Sequence, residues 1–325
     1  MSRRWAVGVD IGGTNVVVGL VPEEGGHPTA LRTRATASLG DPDAVVVELA
    51  RMVREAIREG REDAGDEVLG VGIGSPGPLD LAEGVVLDAF NLGWKDFPLR
   101  DRLSESLAMP ALLDNDANCA TWGEYWLGAG RNVSSLVGVT LGTGIGGGVV
   151  LDGQLIHGAS ASAGELGHMT IDFHGRRCKC GNYGCLEAYA SGPNIAARAR
   201  EGLEAGAQSV LTGLVQGDLA LITAATVYEG ILDGDAYAGE VMLETAKILG
   251  AGLANIVNIF NPEMIVIVGG VTRAGDYLFT PLRSEVRRRA FRSAEQVCQI
   301  VPGALPETAG VIGAAGLFLK SLGEG

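Results

Sequence analysis

The sequence predicts an α/β protein of two related halves with a cleft between them, and three observations lead there. A glycine hairpin between β-branched strands occurs twice. An apolar strand that ends in a glycine turn follows a helical segment, also twice. The two pairs come in the same order along the chain. In sheets of this kind, ligands usually sit at loops beyond the strand ends.

The first element, "WAVGVDIGGTNVVVGLV", reads as strand, glycine turn, strand, with alternating β-branched residues around "GGTN". Next comes "AVVVELARMVREAIREG", a helix whose Val46, Leu49, Val53 and Ile57 share one face. The apolar strand "VLGVGIGSPG" follows it. "PALLDNDANCATWGEYW" is a strand ending in Asp114-Asn115-Asp116, then a helix beginning near Ala117. The hairpin recurs as "VGVTLGTGIGGGVVL". At a constant offset, Val7, Gly8, Val9 and Gly12 meet Val137, Gly138, Val139 and Gly142, while Asp10 meets Thr140. An Asp-Gly turn at Asp152 leads into a further strand. The second helix–strand pair is "GEVMLETAKILGAGLANIVNIFNP", stopped by Pro262, and "EMIVIVGGV". The last segment, "LPETAGVIGAAGLFLKSL", is a small-residue helix capped by Thr308 or Pro306 and expected to pack back on the first half. The expected domains are residues 1–116 plus 306–325, a small α/β domain, and residues 117–305, a large one carrying the cysteine loop.

A chain of 325 residues suits two domains better than one. With 46% hydrophobic and 20% charged residues it is a folded globular protein. Its 50 glycines are about twice the usual share, which points to loops where backbone approaches a ligand. The net charge of −14 opposes nucleic-acid binding, and the local basic run "RSEVRRRAFR" reads as the solvated face of a helix. No apolar run reaches the ~18 residues of a membrane span. The opening residues lack the pattern of a secretory signal, so the cytoplasm is the expected location.

"GTGIGG" from Gly142 satisfies the dinucleotide-binding pattern, but that pattern needs a helix after it, and "GGGVVLDGQL" is a strand. The remaining reading is that both hairpins offer backbone N–H groups to phosphate oxygens. Gly12, Gly13 and Thr14 form one cradle, and Gly142, Thr143 and Gly144 the other. Asp10 supports this, because a carboxylate inside an apolar strand needs a partner. A hydrated magnesium ion is a suitable one.

Three of the five cysteines fall within eight residues, in "CKCGNYGC". Three thiolates and one imidazole make a closed tetrahedral zinc site, and an odd count of three speaks against disulfides. The spacing leaves His168 and His174 as rivals for the fourth position. Cys119 and Cys298 read as small buried hydrophobes.

Together, "DIGGTN", "LGTGIGGG", "GELGHMTI" and "CKCGNYGCLE" resemble the ROK family of sugar kinases and sugar-responsive repressors, most of all its bacterial glucokinase members. The resemblance runs from about Gly8 to Gly316. It implies the two-domain actin-like ATPase fold, ATP with Mg²⁺ as phosphoryl donor, a hexose acceptor, a structural Zn²⁺ and a homodimer or higher homo-oligomer. It makes Asp116, by position alone a helix cap, the catalytic base for the sugar 6-hydroxyl. It also carries over Gly77, Asn115, Asp116, Glu165, His168 and Glu187 as sugar-binding groups. Asp10, Gly12, Gly13, Thr14, Asn15, Gly142, Thr143, Gly144, Gly269 and Gly270 become the MgATP-binding set. His168, with Cys178, Cys180 and Cys185, becomes the zinc ligand. Phosphoryl transfer needs an aligned hydroxyl, a proton acceptor and charge stabilisation, which these residue types supply. Glucose is the expected acceptor, with N-acetylglucosamine, N-acetylmannosamine, mannose and fructose as alternatives. Polyphosphate stays open as a donor, and a sugar-sensing repressor is the rival from another class.

Overall fold

The structure, a computed structural model, describes residues 3–38, 41–61, 63, 65–89 and 92–323. The chain begins with β1 (Arg4–Ile11), β2 (Asn15–Pro22), β3 (Thr29–Ala35), α1 (Pro42–Gly60) and β4 (Glu67–Ser75). Three short strands follow, β5 (Leu79–Asp80), β6 (Val85–Ala89) and β7 (Trp94–Phe97), and then α2 (Leu99–Leu107), β8 (Ala111–Asn115) and α3 (Asp116–Trp126). The second half opens with β9 (Leu136–Leu141), β10 (Ile145–Leu151) and β11 (Gln154–Leu155). It continues through α4 (Glu187–Ala190), α5 (Gly192–Glu204), α6 (Leu211–Leu214), α7 (Ala224–Leu232) and α8 (Ala236–Phe260). Last come β12 (Met264–Val268), α9 (Asp276–Arg289), α10 (Arg292–Glu295), β13 (Gln299–Pro302) and α11 (Ala309–Gly323).

The duplication is visible in the topology. One sheet runs β3-β2-β1-β4-β8 and the other β11-β10-β9-β12-β13. Counted by order of appearance, both are third-second-first-fourth-fifth. In the first sheet β1 pairs antiparallel with β2 and parallel with β4, and β4 pairs parallel with β8.

Two compact units emerge: residues 1–138, 148–164 and 303–325, and residues 139–147 and 165–302. The expected boundary after residue 116 falls inside the first unit, because α3 packs backbone-close along α11. A Cβ added at Gly313 would lie 1.6 Å from the Cys119 carbonyl oxygen.

In the first unit the period of two in β1 divides its side chains. Trp5, Val7, Val9 and Ile11 join the core that contains Val45, Val46, Leu49 and Val53 of α1. Helix α1 starts at Pro42, with Asp41 Oδ1 accepting from the Asp43 and Ala44 amides. The other face of β1 carries Ala6, Gly8 and Asp10 and meets α11. A Cβ at Gly8 would lie 1.9 Å from the Val311 carbonyl oxygen, and one at Gly72 of β4 1.8 Å from that of Ala314. Part of the glycine excess expected to serve ligand loops therefore serves helix-on-sheet contact instead.

In the second unit, α8 ends on Asn261 in the left-handed conformation, directly before Pro262. The basic run lies exposed on α9, where Arg288 pairs with Glu285 at 2.5 Å and Arg287 with Glu295 at 3.3 Å. Among the described residues no helix is long and apolar enough to cross a membrane.

Candidate active site

In the first unit Asp10 faces the start of α11, where a Cβ on Gly310 would lie 2.1 Å from its Oδ2. Burial first, and then the nearby Asp116 carboxylate, raise its carboxyl from 3.8 to about 7. Among the described residues no cationic side chain compensates Asp10, and two neighbouring carboxylates suit a hard divalent cation. The hairpin beside it is pinned by Thr36, whose Oγ1 donates to the Gly12 carbonyl (2.8 Å) and whose amide donates to that of Thr14 (2.8 Å). The Gly12 amide itself donates to Asn15 O at 2.9 Å, so it cannot serve a phosphate as the sequence suggested. Gly13, Thr14 and Asn15 are exposed.

Strand β8 delivers Asp114, Asn115 and Asp116 to the start of α3. The helix cap is Asn115, whose Oδ1 accepts from the Ala117 (2.9 Å) and Asn118 (3.2 Å) amides, leaving its Nδ2 to donate elsewhere. Asp116 is the first helical residue, and its Oδ1 accepts from the Ala117 amide at 2.8 Å. Behind this corner Asp114, 4% exposed, accepts from the Asn115 amide (2.7 Å) and Asn118 Nδ2 (2.9 Å) through Oδ1. Its Oδ2 lies 2.7 Å from His157 Nε2. Sequence reasoning gave His157 no role. Gly77 has a φ of +97°, and a Cβ there would lie 2.0 Å from the Asp88 carbonyl oxygen, so only glycine fits the turn.

In the second unit the Gly142 amide donates to Gly144 O (3.0 Å), again closing the hairpin rather than pointing outward. The Gly192 amide donates to Gly142 O at 2.8 Å. Thr140, the counterpart of Asp10, accepts from the Gly146 amide through Oγ1 at 3.0 Å. Glu187 Oε2 accepts from the Ile145 amide at 2.8 Å, which ties the residue after Cys185 and Leu186 to the end of the hairpin. A cavity of about 750 Å³ opens beside Gly142 and Thr143. Pro193, Tyr228, Leu232 and Val271 line it, with Arg200 at its wall. Gly270 is also in the wall, whereas Gly269 sits against the Leu141 backbone. The lining from α5 and α7 was not foreseen; those helices carry no motif, and only their packing makes the cavity.

Four donors gather in the same unit. The ligating atoms of His168, Cys178, Cys180 and Cys185 all lie within 4.8 Å of one another. Cys180 and Cys185 sulfurs are 3.7 Å apart, and Cys178 Sγ is 3.8 Å from His168 Nδ1. Thiolates about 2.3 Å from a tetrahedral ion require such spacings. Without a cation the thiolate form is disfavoured here: burial first, then hydrogen bonds with its two neighbours, pushes Cys185 up to about 12. The loop is held by Cys178 N donating to Asn182 O (2.7 Å) and Leu186 N to Met169 O (3.0 Å). His174 is outside the cluster, its ring edge-on to Phe173. His168 turns Nε2 toward Glu165, 3.8 Å from Oε2.

The family model described as "ROK family" matches residues 6–321. The glucokinase of Halalkalibacterium halodurans is 37% identical over 96% of this chain and 94% of its own length. That of Thermotoga maritima is 37% identical over 99% and 100%. A crystal structure of a ROK family glucokinase from Streptomyces griseus, in complex with glucose and AMPPNP, superimposes with a TM-score of 0.84 at 34% identity, covering 96% of this chain and 98% of that one. The repeated sheet order is thus that of the actin-like ATPase fold of ROK sugar kinases. Matched almost from end to end, in sequence and in fold, the chain belongs to the ROK family.

Proposed function

We propose that the protein is an ATP-dependent glucokinase, transferring the γ-phosphoryl group of MgATP to the 6-hydroxyl of glucose. The observation that carries the reading is the acidic corner: Asp116 heads α3 within electrostatic reach of Asp10, in a chain with glucokinase relatives along its whole length.

In this reading the exposed tip of the first hairpin, Gly13 and Thr14, and Thr143 and Gly144 of the second bind phosphate oxygens through backbone amides. Gly12 and Gly142 shape the turns. The adenosine occupies the cavity beside Thr143 and Gly270, which favours ATP over polyphosphate. Asp10 would hold the nucleotide's Mg²⁺, which neutralises charge on the phosphates. Asp116, oriented by the Ala117 amide that donates to its Oδ1 at 2.8 Å, serves as the base for the 6-hydroxyl proton. Such bases contribute about 10²–10⁴-fold. The Asn115 amide group, Glu165, His168 Nε2 and Glu187 hold the other hydroxyls. His168, Cys178, Cys180 and Cys185 hold a structural Zn²⁺, which fixes the imidazole through Nδ1. Reduced thiols fit a reducing compartment, which supports a cytosolic location.

The test is a coupled ADP-release assay with MgATP on glucose, mannose, fructose and the two N-acetylated sugars, beside Asp116→Asn. Glucose should turn over fastest, with the variant at least ~10²-fold slower and glucose binding largely retained. Equal loss of binding and rate would make Asp116 a positioning group. No turnover on any sugar would refute the kinase reading.

A further inference from the structure

We propose that His157 and Asp114 form a positioning dyad that holds the Asn115–Asp116 corner for phosphoryl transfer; this rests on the kinase reading. Asp114 is nearly excluded from solvent and lies two residues before the base. A buried carboxylate needs its acceptor sites filled and its charge compensated. Oδ1 fills its sites on the corner itself, through the Asn115 amide and the Asn118 side chain. Oδ2 has His157, which reaches in from the loop after β11. The link is therefore continuous: His157 fixes Asp114, Asp114 fixes the Asn115 amide and Asn118, and Asn115 caps the helix that Asp116 begins.

The charges around the dyad explain why an imidazole stands here. Burial first, and then the Asp114, Asp10 and Asp116 carboxylates, push the Cys119 thiol up, so the three carboxylates share a small volume. His157 joins that group through its hydrogen bond to Asp114 Oδ2. Its hydrogen bond to Asp114 raises the His157 pKa above 6.5, against burial and the nearby Lys320, which lower it. Lys320 does not replace it, since its Nζ donates to Gln154 (2.7 Å) and lies over the Trp122 ring. With His157 removed, Asp114 Oδ2 loses its hydrogen-bond partner and the carboxylate's hold on the corner weakens. A displacement of about 1 Å at a reacting group can cost on the order of 10²-fold in rate.

The experiment compares wild type, His157→Ala, His157→Gln and Asp114→Asn in steady-state kinetics across pH. The Gln amide can donate where Nε2 does, but carries no charge. His157→Ala should lower kcat about 10- to 100-fold with the KM for MgATP within about twofold. His157→Gln should recover most of that loss near neutral pH and lack the fall in kcat expected of wild type as the imidazolium deprotonates. Nitrogen-15 NMR of the histidine rings should show His157 titrating above the ordinary range in wild type and returning toward it in Asp114→Asn. A His157→Ala enzyme with wild-type kcat and pH profile would overturn the dyad. So would a kcat loss that tracks a lower Tm, without rescue by Gln or change in pH profile, since that is a purely structural role. Absence of turnover in wild type itself would instead overturn the kinase reading.

Discussion

Glu187 offers a sharp test, because one of its oxygens is already committed. Oε2 accepts from the Ile145 amide at 2.8 Å, and a Cβ on Gly144 would lie 2.6 Å from that same oxygen. The carboxylate thus anchors the hairpin proposed to bind phosphate, while in the proposed reading its other oxygen serves the sugar. Glu187→Gln keeps an oxygen acceptor for Ile145 and removes the charge; Glu187→Ala removes both. A hydrogen bond to a charged group contributes about 1.5–3 kcal/mol, a ceiling of about 10- to 150-fold on any affinity that depends on it. The hairpin has other ties, through Gly142 to Gly144, Gly192 to Gly142 and Gly146 to Thr140. Only part of that ceiling should therefore appear, about 3- to 10-fold. Calorimetric titration of the sugar-free protein with MgAMPPNP isolates this effect. Glu187→Ala should weaken nucleotide binding by that factor. Glu187→Gln should bind nucleotide as wild type does, yet raise the KM for glucose. Unchanged nucleotide affinity in Glu187→Ala would refute the anchoring argument.

Three further outcomes are expected. Glu124, 1% exposed, accepts from the Ala129 (2.9 Å), Ala304 (3.0 Å) and Leu305 (2.8 Å) amides, so Glu124→Ala should cost roughly 3–5 kcal/mol, read from the urea midpoint at unchanged m. Denaturing the protein in the presence of a colorimetric chelator should release about one zinc per chain, from His174→Ala as from wild type, while Cys185→Ser should lose the metal and weaken glucose binding more than nucleotide binding. The raised His157 pKa predicts a stability contribution present in full below the ordinary histidine pKa of 6.5 and lost as pH rises through the folded-state value. Chemical denaturation of wild type and His157→Gln at several pH values should show their difference shrinking toward alkaline pH.

What was legible in the sequence was local. The Asp152-Gly153 turn, with φ of 49° and 76°, and the return of β10 as a strand follow from turn chemistry and a period of two. The cysteine cluster was legible because a short loop limits how far its thiols can separate. Which histidine joins them was not, since both His168 and His174 precede Cys178 within reach of the loop; the family motif decided it, and the geometry agrees. The unit boundary and the His157–Asp114 pair were missed for one reason. Each depends on groups far apart in the chain, 43 residues for the dyad, and no periodicity registers such a meeting. Gly12 and Gly142 were misread at a finer scale: a glycine turn signals approachable backbone, but not which amide the turn spends on itself.

Helix α11 sets the order in which this protein can be completed. Residues 165–302 emerge from the ribosome as one uninterrupted stretch and can begin folding as they appear. The first sheet is synthesised earlier, yet one face of it, with Gly8 and Gly72 open for a backbone 1.9 and 1.8 Å from where their Cβ atoms would be, stays bare until residues 309–323 arrive. At ~5–20 residues per second that interval is on the order of ten to forty seconds. During that time an apolar surface shaped for one particular helix is exposed to every other chain in its surroundings. The half made first is the half finished last, and it is there that a holding chaperone would find most to bind.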